Sequence, residues 1–202
     1  ATQAIDEARH AEVFRKRALA GGVGLMQALP QVEHTLKAIL DSDTYSEASA
    51  FMHLLAEGNI LTMFRFSEFI SPTPVDKRMF QLVMQDEARH VSYGLQHLKW
   101  ILDNAPQRKE QLHAALDEAE NFSLNQFDSA LFEAMIVLAG KGTSPQQIQK
   151  GIEIVGTLQI RQIEEYFQRL RRAGFEDRIE RSKFRELLAA TSLSGDDPQL
   201  PS

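Results

Sequence analysis

The chain contains no cysteine among its 202 residues, and this absence excludes several classes of site. Without thiolates it can form no disulfide, zinc–thiolate site, iron–sulfur cluster or rubredoxin-type iron centre. It also lacks an excess of positive charge, because 28 Asp and Glu residues outnumber 22 Lys and Arg residues. A surface that binds nucleic acid needs a basic excess, so nucleic acid is not predicted as a partner.

Long apolar runs are also missing from the sequence. No segment is long enough to span a bilayer, and no secretory signal is visible, so the sequence predicts no membrane partner and a cytoplasmic location. The chain begins with Ala1 rather than Met, and only five residues precede its first charged motif. We therefore interpret the beginning of the chain as trimmed or processed.

Alternating strand patterns are lacking, and glycine and proline are sparse and fall at breaks between helical segments. The helical period predicts an all-α fold in a single domain over residues 1–192, followed by a disordered tail over residues 193–202. Ser42 or Asp43 is expected to cap one helix, and Ser144 with Gln147 another. The predicted helices cover residues 1–19, 31–40, 43–70, 75–104, 108–139 with a break near Asn121, 145–173 and 177–191.

The pentapeptide Asp-Glu-Ala-Arg-His occurs twice, at residues 6–10 and again at residues 86–90. Within each copy Glu and His are three residues apart, so both side chains lie on one face of a helix and can reach one metal ion. Two such helices facing each other can hold two ions. A solvent-exposed helix face would explain one copy, but two identical copies are better explained by a shared site.

A lone glutamate, Glu57, lies within the apolar segment FMHLLAEGNILTMF. A charged carboxylate there costs on the order of several kcal/mol unless it is paired or binds a metal. If the helix over residues 31–40 runs back along the bundle, Glu57 is level with Glu7 and Glu87. Alone, Glu57 is equally explained as a salt-bridged core residue. The predicted metal ligands are Glu7, His10, Glu57, Glu87 and His90.

These motifs resemble those of the ferritin-like, carboxylate-bridged di-iron proteins, and more narrowly their O2-activating branch. That branch includes multicomponent monooxygenase hydroxylases, acyl-carrier desaturases, ribonucleotide reductase small subunits and di-iron N-oxygenases. The resemblance covers about residues 1–100 and rests on the D-E-x-R-H form of both motifs. It implies a ferritin-like helical bundle, with the helices after Ile101 as additions.

The resemblance also assigns roles to the residues around the ligands. It implies that the aspartate of each motif supports the ligand histidine of the other motif and pairs with the other motif's arginine. Such support fixes the orientation and tautomer of a metal-bound imidazole. The expected pairs are Asp6 with His90 and Arg89, and Asp86 with His10 and Arg9.

One ligand of the family pattern is missing. The family has a first bundle helix that carries a further glutamate, and this chain has no room for that helix before Glu7. Two Fe(II) ions carry four positive charges, whereas Glu7, Glu57 and Glu87 supply three negative charges. Either the first helix is absent from the chain as given, which is the favoured interpretation, or Glu133 in the apolar segment SALFEAMIVLAG replaces its ligand.

The O2-activating branch implies a monooxygenase-like oxidoreductase that hydroxylates, N-oxygenates or desaturates a small organic substrate. Phe14 stands where ribonucleotide reductase small subunits carry a radical tyrosine, so a stable tyrosyl radical is not expected. Apolar side chains near the ligands predict a pocket that suits an organic substrate. The pocket residues are Phe14, Ile60, Leu61, Phe64, Val83 and Met84.

The implied cofactor is a pair of iron ions, with a Mn/Fe pair left open, and O2 is the co-substrate. Because the chain has no cysteine, electrons are expected from a separate reductase or ferredoxin. A homodimer also remains open. The alternative function is a ferritin-like iron-handling or peroxide-scavenging protein without an organic substrate.

Four further histidines and one arginine-rich segment need an interpretation. His53 is read mainly as a hydrogen-bonded core residue beside the metal ligands, with an additional ligand or a proton donor as alternatives. His34, His97 and His113 have no companions and are expected at the surface. The segment RLRRAGFEDRIERSKFR alternates basic and acidic residues, which predicts a solvated helix face or partner surface.

Overall fold

The computed structural model describes residues 2–22, 24–25, 27, 30–124 and 129–192, and its regular secondary structure over these ranges is entirely helical. The all-α prediction is therefore confirmed for this part of the chain. None of these helices is at once long and apolar enough to cross a membrane. The helices are α1 (Thr2–Ala20), α2 (Pro30–Leu40), α3 (Tyr45–Ser49), α4 (Glu57–Ile70), α5 (Pro74–Asn104), α6 (Lys109–Leu124), α7 (Ser129–Gly140), α8 (Pro145–Ala173), α9 (Glu176–Arg181) and α10 (Phe184–Ser192).

Side-chain caps set the beginnings of the long helices. Ser144 and Gln147 form the predicted capping box of α8, and Pro145 takes the first helical position. Gly174 ends α8 with a left-handed φ of 88°, a conformation that glycine adopts without steric cost. The predicted cap at Ser42 or Asp43 is wrong, because Thr44 forms the capping box with Glu47.

Two predicted helices are interrupted. The predicted helix over residues 43–70 contains a π-helical segment, Ala50–Ala56, which joins α3 to α4. At its end the Glu57 N–H bonds to the Met52 carbonyl, five residues back. The predicted helix over residues 177–191 is two helices, because α9 ends at Ser182 in an extended conformation. No break occurs at Asn121, because α6 continues to Leu124. Residues 125–128 and the predicted tail 193–202 lie outside the described residues.

The main apolar core lies between the π-helical segment, α5, α6 and α8. Leu54, Leu98, Leu116 and Leu170 are each completely buried there. α4 and α5 are joined by a short turn at residues 71–73 and pack against each other along their length. The short turn makes them antiparallel neighbours, which brings Glu57 and Glu87 to the same level.

The arginine-rich segment is not a uniformly solvated face. Arg178 is completely buried and donates to Glu120 at 3.0 Å and to Asp117 at 2.6 Å. Arg169 is also buried, with 6% of its surface exposed. The sequence prediction is therefore wrong for these two side chains. Arg178 is buried as an ion pair with Glu120 and Asp117, and Arg169 is buried with hydrogen bonds to the Leu54 carbonyl and the Asn59 side chain.

The surface prediction for the isolated histidines is also wrong where it can be checked. His113 is completely buried, with its ring against Phe175 and its Nε2 atom 3.2 Å from Asp177. His97 is half-buried and lies 3.2 Å from the Ser46 hydroxyl. The side chain of His34 lies outside the described residues.

Helix α1 is attached to the bundle mainly by polar side chains. Of its residues only Asp6 and His10 are buried. One turn beyond His10, the half-buried Phe14 ring contacts Phe64 and Phe80 at centroid distances of 5.4 and 6.1 Å. At the far end Arg17 binds Asp76 of α5 through two hydrogen bonds, of 2.5 and 3.1 Å. The buried Asp6 and His10, the Phe14 ring contacts and the Arg17–Asp76 pair therefore together dock α1.

Candidate metal centre

Three glutamates from three helices surround the Nδ1 atom of His90. This atom lies 3.2 Å from Glu7 Oε1, 3.6 Å from Glu87 Oε2 and 3.9 Å from Glu57 Oε1. One ligand atom of each of these four residues lies within 4.8 Å of those of the other three. The separations allow one cation between them to be bound by all four side chains.

A second position lies beside His10 and shares two of the same glutamates. The His10 Nδ1 atom is 3.3 Å from Glu87 Oε1 and 3.6 Å from Glu7 Oε2. Glu7 and Glu87 thus each turn one oxygen toward His90 and the other toward His10. The two rings are 6.3 Å apart between centroids. These separations leave room for a second cation beside His10 that shares Glu7 and Glu87 with the first.

The far side of each imidazole is held by an aspartate from the opposite helix. His90 Nε2 lies 3.1 Å from Asp6, and His10 Nε2 lies 3.1 Å from Asp86. An ionised carboxylate only accepts hydrogen bonds, so Nε2 of each ring is the donor, and in the neutral tautomer with this donor Nδ1 carries the lone pair. Both cross-helix contacts are those that the repeated motif led us to expect.

Several buried atoms of the site have no hydrogen-bond partner among the described residues. They are His10 Nδ1, His90 Nδ1, Glu57 Oε2 and Glu87 Oε2. When the imidazoles are neutral and the carboxylates ionised, each of these atoms offers a lone pair and faces others that also offer lone pairs, so the contacts among them are not hydrogen bonds. A buried polar atom without a partner is costly, and divalent cations bound beside the two histidines would satisfy these atoms. The residues present therefore fit a bound metal.

The electrostatics of the glutamates point the same way. Burial raises the pKa of Glu57 to about 7, with a smaller contribution from the charge of Glu7. Burial, followed by the charges of Glu7 and Glu57, raises the pKa of Glu87 to about 8. Without a cation, protonation relieves the crowding of negative charge. A divalent cation stabilises the ionised forms instead.

The pKa values of the supporting aspartates are lowered, in contrast to those of Glu57 and Glu87, because the aspartates accept hydrogen bonds. A hydrogen bond from His90 is the main cause that lowers the pKa of Asp6. Burial alone would raise the pKa of Asp86, but hydrogen bonds from His10, Arg89 and Arg9 hold it at about 2. Arg9 bonds to both aspartates, at 2.8 Å to Asp6 and more closely to Asp86. Arg89 likewise bonds closely to Asp86 and lies 3.4 Å from Asp6.

His53 and Gln3 complete the surroundings of Glu57. His53 is completely buried, and its Nδ1 atom lies 2.9 Å from the Ser49 hydroxyl and 3.1 Å from the Ser49 carbonyl. Burial lowers the pKa of His53 to about 4, so the imidazole is neutral. Gln3 donates to Glu57 Oε1 at 2.8 Å and lies 3.4 Å from His53 Nε2. The reading of His53 as a hydrogen-bonded core residue is confirmed.

Gln3 was missed at the level of sequence, although one signal pointed to it. It lies four residues before Glu7 and therefore on the same face of α1. Gly94 of α5 has a similar supporting role. A Cβ atom at Gly94 would lie 2.2 Å from Cγ of His53, so glycine is required for the ring to approach α5.

The residues predicted to line a substrate pocket lie on the three helices that carry the ligands. Val83 is buried and the other five are half-buried: Phe14, Ile60, Leu61, Phe64 and Met84. A cavity of about 430 Å³ lies elsewhere, lined by side chains such as Lys37, Glu47 and Glu118, so it is not the predicted pocket. Glu133, the suggested replacement for a fourth carboxylate, is exposed on α7 and does not join the ligand group.

The chain matches no family model, no curated protein and no solved structure in comparisons with known proteins. Its function therefore has to be argued from the site. The geometry brings together all five predicted ligands and all four supporting charged residues, and their roles toward a metal stay predictions.

Replacing the supporting aspartates tests those roles. We expect Asp6→Asn to weaken binding at the His90 position and Asp86→Asn at the His10 position, each by about 10- to 100-fold, because an amide holds the imidazole less firmly. Calorimetric titration with Mn(II) measures both steps. Asp103→Asn, which removes an exposed pairing with Lys99, is the matched control. Equal affinities in all three variants would contradict the assignment.

Metal should also hold α1 in place. Because the buried residues of α1 are Asp6 and His10, a cation shared by Glu7, His10 and Glu87 should stabilise its docking. At a free metal concentration 100 times Kd, binding adds about 2.7 kcal/mol. Hydrogen exchange measured by mass spectrometry should then slow by about 100-fold in α1 and little in α6. Equal hydrogen-exchange rates in α1 with and without Mn(II) would contradict the prediction that metal stabilises the docking of α1.

Proposed function

We propose that this protein is a non-haem di-iron oxidase or oxygenase with a ferritin-like helical bundle. The observation that carries the proposal is the pair of buried imidazole Nδ1 atoms without hydrogen-bond partners, which face three glutamates from three helices. The repeated D-E-x-R-H motif favours the O2-activating branch over simple metal storage. The proposed metals are two iron ions, with a Mn/Fe pair left open.

The proposed ligand roles follow from the shared and unshared contacts. Glu7 and Glu87 would bridge the two ions, because each turns one oxygen toward either histidine. Glu57 would bind only the ion beside His90. The His90 position thus has four protein ligands and the His10 position has three, so two unequal binding steps are expected. An open coordination position at a metal is where a small reactant binds.

When bound, the iron pair would supply the electrons and coordination sites for reducing O2, chemistry that no amino-acid side chain here provides. The protein's own residues orient and shield that chemistry. Asp6 and Asp86 fix the imidazoles, Gln3 orients the Glu57 carboxylate, and the neutral His53 imidazole keeps this side of the site free of a further charge. The aromatic cluster of Phe14, Phe64 and Phe80 would hold an apolar organic substrate near His10.

Electrons must then reach the site from outside the chain. The sequence contains no cysteine, so an iron–sulfur centre in this chain cannot deliver them. We therefore propose a separate reductase or ferredoxin as partner, in the cytoplasm, and a small organic molecule as substrate.

One observation favours a second candidate function. The Glu7 side chain is 48% exposed, whereas those of Glu57 and Glu87 are 10% and 5% exposed. The cation positions are therefore open to solvent along α1, which suits the uptake of iron ions or peroxide from solution. An iron-handling or peroxide-scavenging protein without an organic substrate would use such an opening.

Anaerobic Fe(II) loading followed by oxygen uptake distinguishes the two candidates. The parent protein should bind two Fe(II) per chain, and His10→Ala should bind one, because that change removes the only ligand unique to the second position. Glu164→Gln, at an exposed position of α8, is the control and should bind two. Oxygen uptake by the loaded protein should rise when an accepted organic substrate is added.

The contrary outcomes are equally specific. Rapid formation of ferric mineral, unaffected by any organic molecule, would favour the iron-handling function and exclude the oxygenase. A parent protein that binds neither iron nor manganese would remove the enzyme proposal altogether.

A further inference from the structure

Arg169 of α8 is a buried cation that contacts the helix turn carrying Glu57. Its side chain is shielded, with 6% of the residue exposed. The Nε atom donates to the Leu54 carbonyl at 2.7 Å, and Nη2 donates to the Asn59 side-chain oxygen at 2.9 Å. Leu54 precedes Glu57 in the chain and Asn59 follows it, so one guanidinium holds both sides of the ligand.

Gly58, the residue next to Glu57, makes room for this guanidinium. A Cβ atom at Gly58 would lie 2.2 Å from Nε and 2.4 Å from the central guanidinium carbon of Arg169. Both distances are far shorter than a van der Waals contact. The guanidinium cannot move aside cheaply, because it is buried and hydrogen-bonded. The Arg169 guanidinium therefore packs directly against the backbone of Gly58, where only glycine leaves enough space.

A direct ion pair does not explain the burial of Arg169. A buried charge is costly unless it is well paired, and apolar side chains of similar volume often replace such groups without loss of stability. Burial lowers the pKa of Arg169 to about 10, so the group is still charged at neutral pH. Its described hydrogen bonds go to neutral acceptors, Leu54 and Asn59, and not to a carboxylate.

The contact falls at a change of helix type. The π-helical segment Ala50–Ala56 ends immediately before Glu57, where α4 begins. Wider π turns rotate the following residues relative to an uninterrupted α-helix, and they depend on local support because their hydrogen bonding is less favourable. Arg169 bonds to a carbonyl inside the π-helical segment and to a side chain inside α4. It therefore bridges the junction that sets the direction of the Glu57 side chain.

We infer that Arg169, fitted against Gly58, is a positioning residue that fixes the π-to-α junction and thereby directs the Glu57 carboxylate toward His90. This inference rests on the proposed metal site. It adds a requirement from α8, a helix that carries none of the proposed ligands. Two neighbouring contacts support the same interface, from Gln162 to the Asn59 carbonyl at 3.3 Å and from Thr62 to Glu165 at 2.5 Å.

Co(II) titration followed by visible absorption tests the inference, because the absorption bands report the ligands and geometry of the bound ion. In Arg169→Met we expect the tighter Co(II) step to weaken by about 10- to 100-fold, as for loss of a group that orients a ligand. We also expect its absorption bands to shift, while the weaker step keeps its affinity. Arg169→Lys retains one donor and should recover part of the affinity. Arg172→Met, at an exposed position of the same helix, should match the parent.

The Gly58→Ala substitution tests the same contact independently, from the side of α4. In the parent background the added Cβ should displace the guanidinium and weaken the tighter step. In the Arg169→Met background the same change should have little further effect, because its steric partner is gone. Circular dichroism and thermal unfolding verify that each variant is folded. If Arg169→Met does not fold, the Arg169→Lys variant and the Gly58→Ala single variant still decide the question.

Two results would overturn the inference while leaving the metal site intact. The first is a folded Arg169→Met protein with the affinity and the Co(II) spectrum of the parent. The second is a Gly58→Ala effect of the same size in both backgrounds. If the parent itself binds no Co(II), the proposed metal site fails, and this inference fails with it.

Discussion

Three carboxylates and two imidazole lone pairs converge on one small, partly buried space, and the rest of the arrangement follows from that crowding. Water-exposed glutamates would simply separate, but Glu57 and Glu87 are held in the interior by the helices that carry them. Burial makes their repulsion stronger, because the protein interior screens charge poorly. The protonated Nε2 atoms of His10 and His90 are already used by aspartates. Cations beside the two histidines would relieve these contacts while the carboxylates stay ionised.

The aspartate of each motif supports the histidine of the other motif, and this arrangement ties α1 to α5. If each aspartate supported its own histidine, α1 and α5 could part without breaking the support. Because Asp6 holds His90 and Asp86 holds His10, and Arg9 and Arg89 each bond to the aspartate of the other helix, separation breaks these four cross-helix contacts together. The network is partly exposed at the arginines, so its individual ion pairs contribute little. Its main effect is to fix orientation.

Much of the site could be predicted from sequence, because a residue's face on a helix follows from its number. Glu7, His10, Glu87 and His90 needed only the three-residue spacing, and Glu57 only an acid in an apolar segment. The π-helical segment before Glu57 could not be predicted, because over residues 43–70 the apolar pattern fits an ordinary α-helix. Arg169 was misjudged for a related reason. Its burial depends on Gly58, more than 100 residues away in the chain.

The central claim is that both Nδ1 atoms face bound metal, and crystallography with anomalous scattering tests it most directly. Crystals of the protein grown with Mn(II), measured near the manganese absorption edge, should show two anomalous peaks in the site. One peak should lie within bonding distance, about 2 Å, of Nδ1 of His10 and the other at a similar distance from Nδ1 of His90, with Glu7 and Glu87 between them. A map without peaks at this site, or with metal on the Nε2 atoms, would contradict the account.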